Sequence, residues 1–335
     1  MEDKIWLAEL YSMRPEWACC AAASRNMSYA AGVELADLDK LQLVLEPVGQ
    51  AGLAIAIMLI MGGVALGLRV ADFLALKNAP RLFIGGLLTQ LVGLPLLTYV
   101  VLLLVEVPAS VALGMIVVAC CPGGAVSNLL TWLGRGDVAY SVTLTTVSSV
   151  LAAVLTPTSI LFWSNSYAPT AGLLEAVSVH PLAFLLQTTA LLLVPLVAGM
   201  LLAAWRPGLA ARLRRAIAPL GSLLLVAVIV YGVVMFFPPL LPVLPFLVLI
   251  AIVHNTLAFV LGGLAGVLLR APRAIRRALT FEVGIQNSGL ALVILLSQLK
   301  GLGGAAAIAA TWGVWHIVAG GLIVIGLRNF DRWRS

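Results

Sequence analysis

The segment LTFEVGIQNSGLALVILLSQL, residues 279–299, sets one carboxylate, Glu282, in an apolar run and follows it with Gly284 and the amide pair Gln286-Asn287. A carboxylate at mid-membrane costs on the order of 3 kcal/mol on insertion scales, so such a group faces a cavity, a partner or an ion path. Two local readings are open. Glu282 stands five residues past Arg277, about 7.5 Å along a helix, and an ion pair with Arg276 or Arg277 at the membrane rim would satisfy it. Alternatively, it offers hard oxygen to a small cation.

A second polar island bears on that choice. In CCPGGAVSNLLTWLGRGD, residues 120–137, Pro122 removes a backbone donor, Gly123 and Gly124 add freedom without helix preference, and Ser127 and Asn128 add side-chain oxygens. The helix is expected to break or kink there. Irregular backbone at such depth is tolerated only where protein or a water-filled cavity satisfies it, and freed carbonyls suit a small hard cation. The next stretch, YSVTLTTVSSVL, places Ser141 and Thr145 four apart on one helix face, where both hydroxyls can meet one ion or serve as interhelical contacts. Gln90, five residues before Pro95, is the strong polar group of its own segment, either a ligand or an amide bonded to a neighbouring helix.

The elements that must carry these groups are membrane spans. The chain has 335 residues, 62% hydrophobic and 10% charged, whereas soluble domains are about one quarter charged. Apolar runs of about 20 residues predict nine spans: Gly49 to Leu68, Leu82 to Val105, Pro108 to Leu133, Val138 to Trp163, Pro181 to Trp205, Ile217 to Phe237, Val243 to Leu269, Leu279 to Leu299 and Gly303 to Leu327. The longest link, between Trp163 and Pro181, separates a first half (about 49–163) from a second (about 181–327). The Pro-Gly-Gly break and Glu282-Val283-Gly284 then fall in the last span but one of each half. Interrupted segments at corresponding positions of two halves point to a secondary transporter's binding site. Residues 47–330 form the transmembrane domain in this reading, and residues 1–46 a separate extramembrane tail with eight of the 14 acids. The tail lacks a basic start leading into an apolar core of about 7–15 residues, so no secretory leader is expected.

With nine spans, Arg69, Lys77, Arg81, Arg135 and the arginines at 206–215, 270–277 and 328–334 share one face, leaving Lys300 and the tail's bases on the other. The positive-inside rule then puts the N-terminus outside and the C-terminus in the cytoplasm. Topology accounts for the net charge of +6 without a nucleic-acid partner, since no binding motif accompanies the arginines. Cys19-Cys20 and Cys120-Cys121 fit neither a zinc site nor a disulfide framework and read as packing residues or free thiols. His254 and His316 are isolated in apolar runs, with no catalytic or metal-ligand set around them, so the chain is not expected to be an enzyme. A channel repeats its polar ring by oligomeric symmetry, unlike these groups drawn from different spans.

Several motifs in order carry a resemblance: MLIMGGVALGLRVADF (58–73), TQLVGLP (89–95), the stretch from Cys120 to Ser149, FEVGIQNSGLA (281–291) and WHIVAG (315–320). On these the chain resembles the bile acid:sodium symporter family across nearly everything after residue 46. The resemblance implies an all-α membrane fold of panel and core domains, inverted repeats and two crossing discontinuous helices, here in the nine-helix form. It implies two Na+ ions, with no organic cofactor. One would be held by Ser127, Asn128, Ser141, Thr145 and Glu282. The other would be held by Gln90, Glu282, the carbonyls of Val283 and Ile285, and Gln286. Asn287 would face the substrate, with Ala125 and Ile317 standing where a bacterial relative has Thr and Asn. The expected activity is sodium-coupled import of an organic anion, a bile acid or a smaller carboxylate such as pantoate or pyruvate, across a bacterial inner (plasma) membrane. The alternative is a related carrier with proton coupling or arsenite efflux.

Overall fold

A computed structural model describes residues 35–41, 47–67 and 79–334, together with most of their side chains. Most of the tail, including Cys19-Cys20, and the loop bases Arg69 and Lys77 lie outside the described residues. Among the described residues twelve helices follow in order: α1 (Pro47–Ala65), α2 (Pro80–Leu104), α3 (Ala109–Cys120), α4 (Ala125–Leu133), α5 (Val138–Ser166), α6 (Ala168–Ala176), α7 (Pro181–Trp205), α8 (Pro207–Leu240), α9 (Leu244–Leu268), α10 (Arg273–Gly284), α11 (Ser288–Ser297) and α12 (Gly303–Arg334). Five helical stretches among the described residues are long and apolar enough to cross a membrane: Pro80–Leu104, Val138–Ser166, Pro181–Trp205, Leu241–Leu268 and Gly303–Trp333.

Two expected spans are each divided. The third becomes α3 and α4, parted at residues 121–124, and the eighth becomes α10 and α11, parted at residues 285–287. Pro122 cannot donate to the ladder, and Cys121, Gly124 and Ile285 take extended backbone. Such breaks need protein around them rather than lipid. Residues 110–120 of α3 and 290–295 of α11 are accordingly buried throughout, whereas α7 leaves Leu182, Leu186, Val194 and Trp205 exposed. In the packing, α1 lies against α7 and α8, α7 also lies against α5, and α9 lies against α10 and α12.

The helix carrying Glu282 starts at Arg273 rather than Leu279, because Arg276 and Arg277 extend it as an amphipathic turn ahead of the apolar run. α10 sits tightly on α9. A Cβ on Gly262 would come within 2.4 Å of the Leu279 carbonyl oxygen, and one on Gly266 within 2.9 Å of the Arg276 Cα. With Ala258 these small residues make a stripe that lets two backbones approach. In α2, Pro95 has no N–H for the preceding turn, and residues 89–93 widen into a π-turn in which Leu94 N–H donates to Thr89 O and Gln90 is buried. The longest link, after α5, contains α6. Its Thr170 hydroxyl donates to Ser164 O (2.5 Å) and Tyr167 O (2.9 Å), and its Leu174 is buried. Nine residues are too few to register as an apolar span.

The end of the tail is not free of the bundle. Residues 35–39 form a 3-10 turn, Leu38 is buried, and the Asp39 carboxylate accepts from Ser110 N–H (2.7 Å) and Ala109 N–H (3.2 Å) at the start of α3. Leu41 O accepts from Gly303 N–H at 2.7 Å, at the start of α12. A carboxylate on unsatisfied N-terminal amides is worth about 1 kcal/mol. Asp39→Ala is therefore expected to lower the melting temperature of the purified protein while leaving its sodium response intact, as a thermal denaturation series in sodium and in choline would register.

Candidate functional site

The two breaks lie on each other. Residues 121–124 and 285–287 run antiparallel and pair at Gly123 and Gln286, with Gly124 N–H donating to Ile285 O (3.1 Å) and Asn287 N–H to Pro122 O (2.9 Å). A helix end leaves unsatisfied carbonyls on its C-terminal side and unsatisfied amides on its N-terminal side. The crossing therefore gathers the C-terminal ends of α3 and α10 and the N-terminal ends of α4 and α11. Partially negative and partially positive helix ends share one small region inside the protein.

Glu282 sits at this point and is fully buried. Its Oε1 accepts from the Ser127 hydroxyl (2.6 Å) and from the Ser141 hydroxyl, and its Oε2 accepts from the Thr145 hydroxyl (2.7 Å). Asn128 Oδ1 accepts from the same two α5 hydroxyls, Ser141 (2.8 Å) and Thr145 (3.3 Å). The four-residue spacing thus presents both hydroxyls to one carboxylate. The rim reading of Glu282 fails on the arginines. Arg277 holds Asp331 with both Nη atoms (2.8 and 2.5 Å) and donates to Gly134 O (3.0 Å), while Arg276 Nε donates to Ala271 O (2.7 Å). With three hydroxyl donors and no cationic side chain bonded to it among the described residues, the buried carboxylate is well hydrogen-bonded but not charge-compensated. Dehydrating an ion costs several kcal/mol.

On the other side of Glu282 the C-terminal carbonyls of α10 can be accounted for one by one. Phe281 O takes Ile285 N–H (2.9 Å), and Ile285 O takes Gly124 N–H (3.1 Å). Glu282 O accepts from Gln90 Nε2 (3.1 Å) and Gln286 Nε2 (3.4 Å), and Val283 O accepts from Gln286 Nε2 (2.8 Å). Both glutamines spend their N–H groups on carbonyls, so Gln90 Oε1 and Gln286 Oε1 are left buried without a partner. An unmatched buried acceptor costs about 1–3 kcal/mol. These two oxygens, the free lone pairs of the Val283 and Ile285 carbonyls and the shared Glu282 carboxylate are all hard oxygen donors, the set suited to an alkali cation and not to a soft metal. Gly123 completes the arrangement by what it lacks: a Cβ there would fall 2.8 Å from Gln90 Nε2 and 2.9 Å from Glu282 Oε2.

The expected substrate residues are placed beside the crossing with different roles. Asn287 caps α11, its Oδ1 accepting from Leu290 N–H at 3.0 Å. Ile317 shares a face of α12 with Gly313 and Gly320, which lie against Ser288 and against Leu130 and Ile285 respectively. Ile317 itself is 48% exposed, in one stripe of α12 with the exposed Val314, Val318, Leu322 and Ile325. Ala125 begins α4, and its side chain lies outside what the structure describes. One participant escaped the sequence reading. Asn255 of α9 is fully buried and donates from Nδ2 to Gly284 O at 2.8 Å. An amide in the apolar stretch LIAIVHNTLAF was the available signal, masked by its histidine neighbour. His254 itself bonds Thr98 (2.8 Å) through Nε2.

The family model described as Sodium Bile acid symporter family matches residues 54–237. The chain is 32% identical over 266 residues to the uncharacterized sodium-dependent transporter YocS of Bacillus subtilis (strain 168), covering 79% of each chain. It is 28% identical over 263 residues to the probable sodium/metabolite cotransporter BASS1, chloroplastic, of Arabidopsis thaliana, covering 78% of this chain and 63% of that protein, a little under two thirds of the plant relative. It is 25% identical over 243 residues to the human ileal sodium/bile acid cotransporter, covering 72% and 68%.

Proposed function

Because the chain belongs to the Sodium Bile acid symporter family, a family of sodium-dependent transporters, we propose that it is a symporter importing an organic anion with two sodium ions. The observation that carries this reading is the buried Glu282 carboxylate, which has three hydroxyl donors on one side, orphaned amide oxygens on the other and, among the described residues, no basic side chain bonded to it. One sodium ion would bind among Ser127, Asn128, Ser141, Thr145 and Glu282. The second would bind among Gln90, Glu282, Gln286 and the carbonyls of Val283 and Ile285. The ions supply the charge compensation that the chain does not, and the three hydroxyls turn their lone pairs inward when they do so. The N-terminal ends of α4 and α11, with the Asn287 amide, would receive the anion. Sodium binding orders the crossing and raises affinity for the anion, and by linkage the anion raises affinity for sodium equally.

The same reading assigns α1, α7 and α8 to a panel and the remaining helices to a core of two inverted halves. The membrane is a bacterial inner membrane with the N-terminus outside. The substrate is a bile acid or a smaller carboxylate such as pantoate; with the apolar Ala125 and Ile317 where a bacterial relative has Thr and Asn, recognition rests on Asn287 and the helix ends.

In proteoliposomes, replacing external sodium by potassium or choline at fixed pH is expected to abolish anion uptake. With sodium present, an inside-negative potential should drive accumulation by about 2.3 kcal/mol per 100 mV for the one net charge carried. A panel of bile acids, pantoate and pyruvate in a thermal-shift screen, with and without sodium, identifies the anion by stabilisation that appears only with sodium. Uptake driven equally by a proton gradient in potassium, or efflux of arsenite, would replace this reading with that of a differently coupled carrier.

A further inference from the structure

Three consecutive carbonyls at the end of α10, those of Glu282, Val283 and Gly284, are each held by a side-chain amide, and the amides come from three elements. Gln90 reaches in from the π-turn of α2, Gln286 from the break itself and Asn255 from α9. In each case the nitrogen must face the carbonyl, since two oxygens would repel, so the orientation of the amide is fixed by its partner. In each case the oxygen is then buried without a hydrogen bond: Gln90 Oε1, Gln286 Oε1 and Asn255 Oδ1. The first two belong to the cation site already proposed. Asn255 repeats the pattern and has no role assigned.

Its placement is over-determined. Asn255, Ala258, Gly262 and Gly266 recur at helical spacing on the α9 face that packs on α10, so the close backbone approach at Gly262 and Gly266 brings Asn255 against the last residue of α10. Gly284 also meets α9 one turn further along, where a Cβ on it would lie 2.1 Å from the Phe259 ring. The backbone then turns extended at Ile285, with φ −116 and ψ 100. Gly284 O points to α9 and Ile285 O to Gly124 N–H on the opposite break. Fixing the Gly284 peptide therefore fixes the direction of its neighbours' carbonyls on either side.

We propose that Asn255 is a positioning residue of the sodium site: by holding the Gly284 carbonyl toward α9, it keeps the Val283 and Ile285 carbonyls aimed at the cation. The inference rests on the sodium reading above. Outer contacts of this kind alter metal affinity by about tenfold or more, so the effect belongs in sodium affinity and not in the fold.

The test is a thermal-shift titration of the purified protein with sodium chloride against choline chloride, with no anion added, for the wild type, Asn255→Ala and the near-isosteric Asn255→Leu, which keeps the shape and loses the donor. The expected result is a half-effective sodium concentration raised about tenfold in both variants, with the melting temperature in choline close to that of the wild type. Identical sodium titrations in wild type and variants would overturn the role of Asn255 while leaving the sodium site standing. Failure of both variants to fold, or a lowered melting temperature in choline with an unchanged sodium titration, would make Asn255 a packing residue and overturn the proposal. A wild type that sodium does not stabilise would remove the sodium reading itself and this inference with it.

Discussion

Glu282→Gln is expected to reduce sodium-dependent uptake to background and to erase the stabilisation that sodium gives the purified protein. The substitution keeps the shape of the side chain. It removes the charge shared by both proposed ions and turns an acceptor that collects the Ser127, Ser141 and Thr145 hydroxyls into a group that is half donor. The protein should still fold: an uncompensated buried charge is a burden on stability, and its removal is commonly neutral or favourable. The melting temperature in choline should therefore match or exceed that of the wild type. The combination of unchanged or higher stability without sodium and no response to sodium separates a binding carboxylate from a structural one. Persistence of the sodium response in the variant would mean that Glu282 is not a ligand.

Gly123→Ala is expected to have the second largest effect, from a single methyl group. The added Cβ would approach Gln90 Nε2 at 2.8 Å and Glu282 Oε2 at 2.9 Å, distances that force something to move. Neither neighbour can yield independently. Gln90 is tied to Glu282 O and Oε2 to Thr145, so the displacement spreads to groups on both sides of the shared carboxylate. The requirement is one of space and not of backbone conformation, since among the described residues the glycine with positive φ is Gly301. Sodium affinity should fall by about 10- to 100-fold, read as a rightward shift in both the sodium dependence of uptake and the thermal-shift titration. A Gly123→Ala protein with wild-type sodium dependence would place the cation away from the Gly123–Gln286 crossing.

How far the sequence discloses this arrangement depends on the kind of feature. Pro122-Gly123-Gly124 announces a break because the missing donor and the missing side chains act locally, and Ser141 and Thr145 announce a shared face because helical spacing is itself local. A lone acid in an apolar run is also legible, although its partner is not. Arg277 stands one helical turn or so from Glu282 in sequence, yet its guanidinium is taken by Asp331 near the far end of α12, a choice made by tertiary packing. The same holds for Asn255, whose meeting with Gly284 depends on the approach of two helices at Gly262 and Gly266. It holds too for the end of the tail, where Asp39 finds the N-terminus of α3 across 71 residues of chain. Charge-rich composition marks such a segment as separate, while one buried leucine and one well-placed carboxylate suffice to bind it to the bundle. Helix α6 was hidden for a simpler reason: its apolar content is that of a short surface helix and carries no span signal.

The central claim is that one carboxylate, at the crossing of two unwound segments, is shared by two sodium ions. Equilibrium binding of radioactive sodium to the purified protein, counted per chain at saturation, tests it most directly. The account predicts two ions in the wild type, one in Gln90→Ala, where only the second site loses a side chain, and none in Glu282→Gln. Full saturation in Glu282→Gln, or a single ion in the wild type that Gln90→Ala leaves untouched, would contradict it.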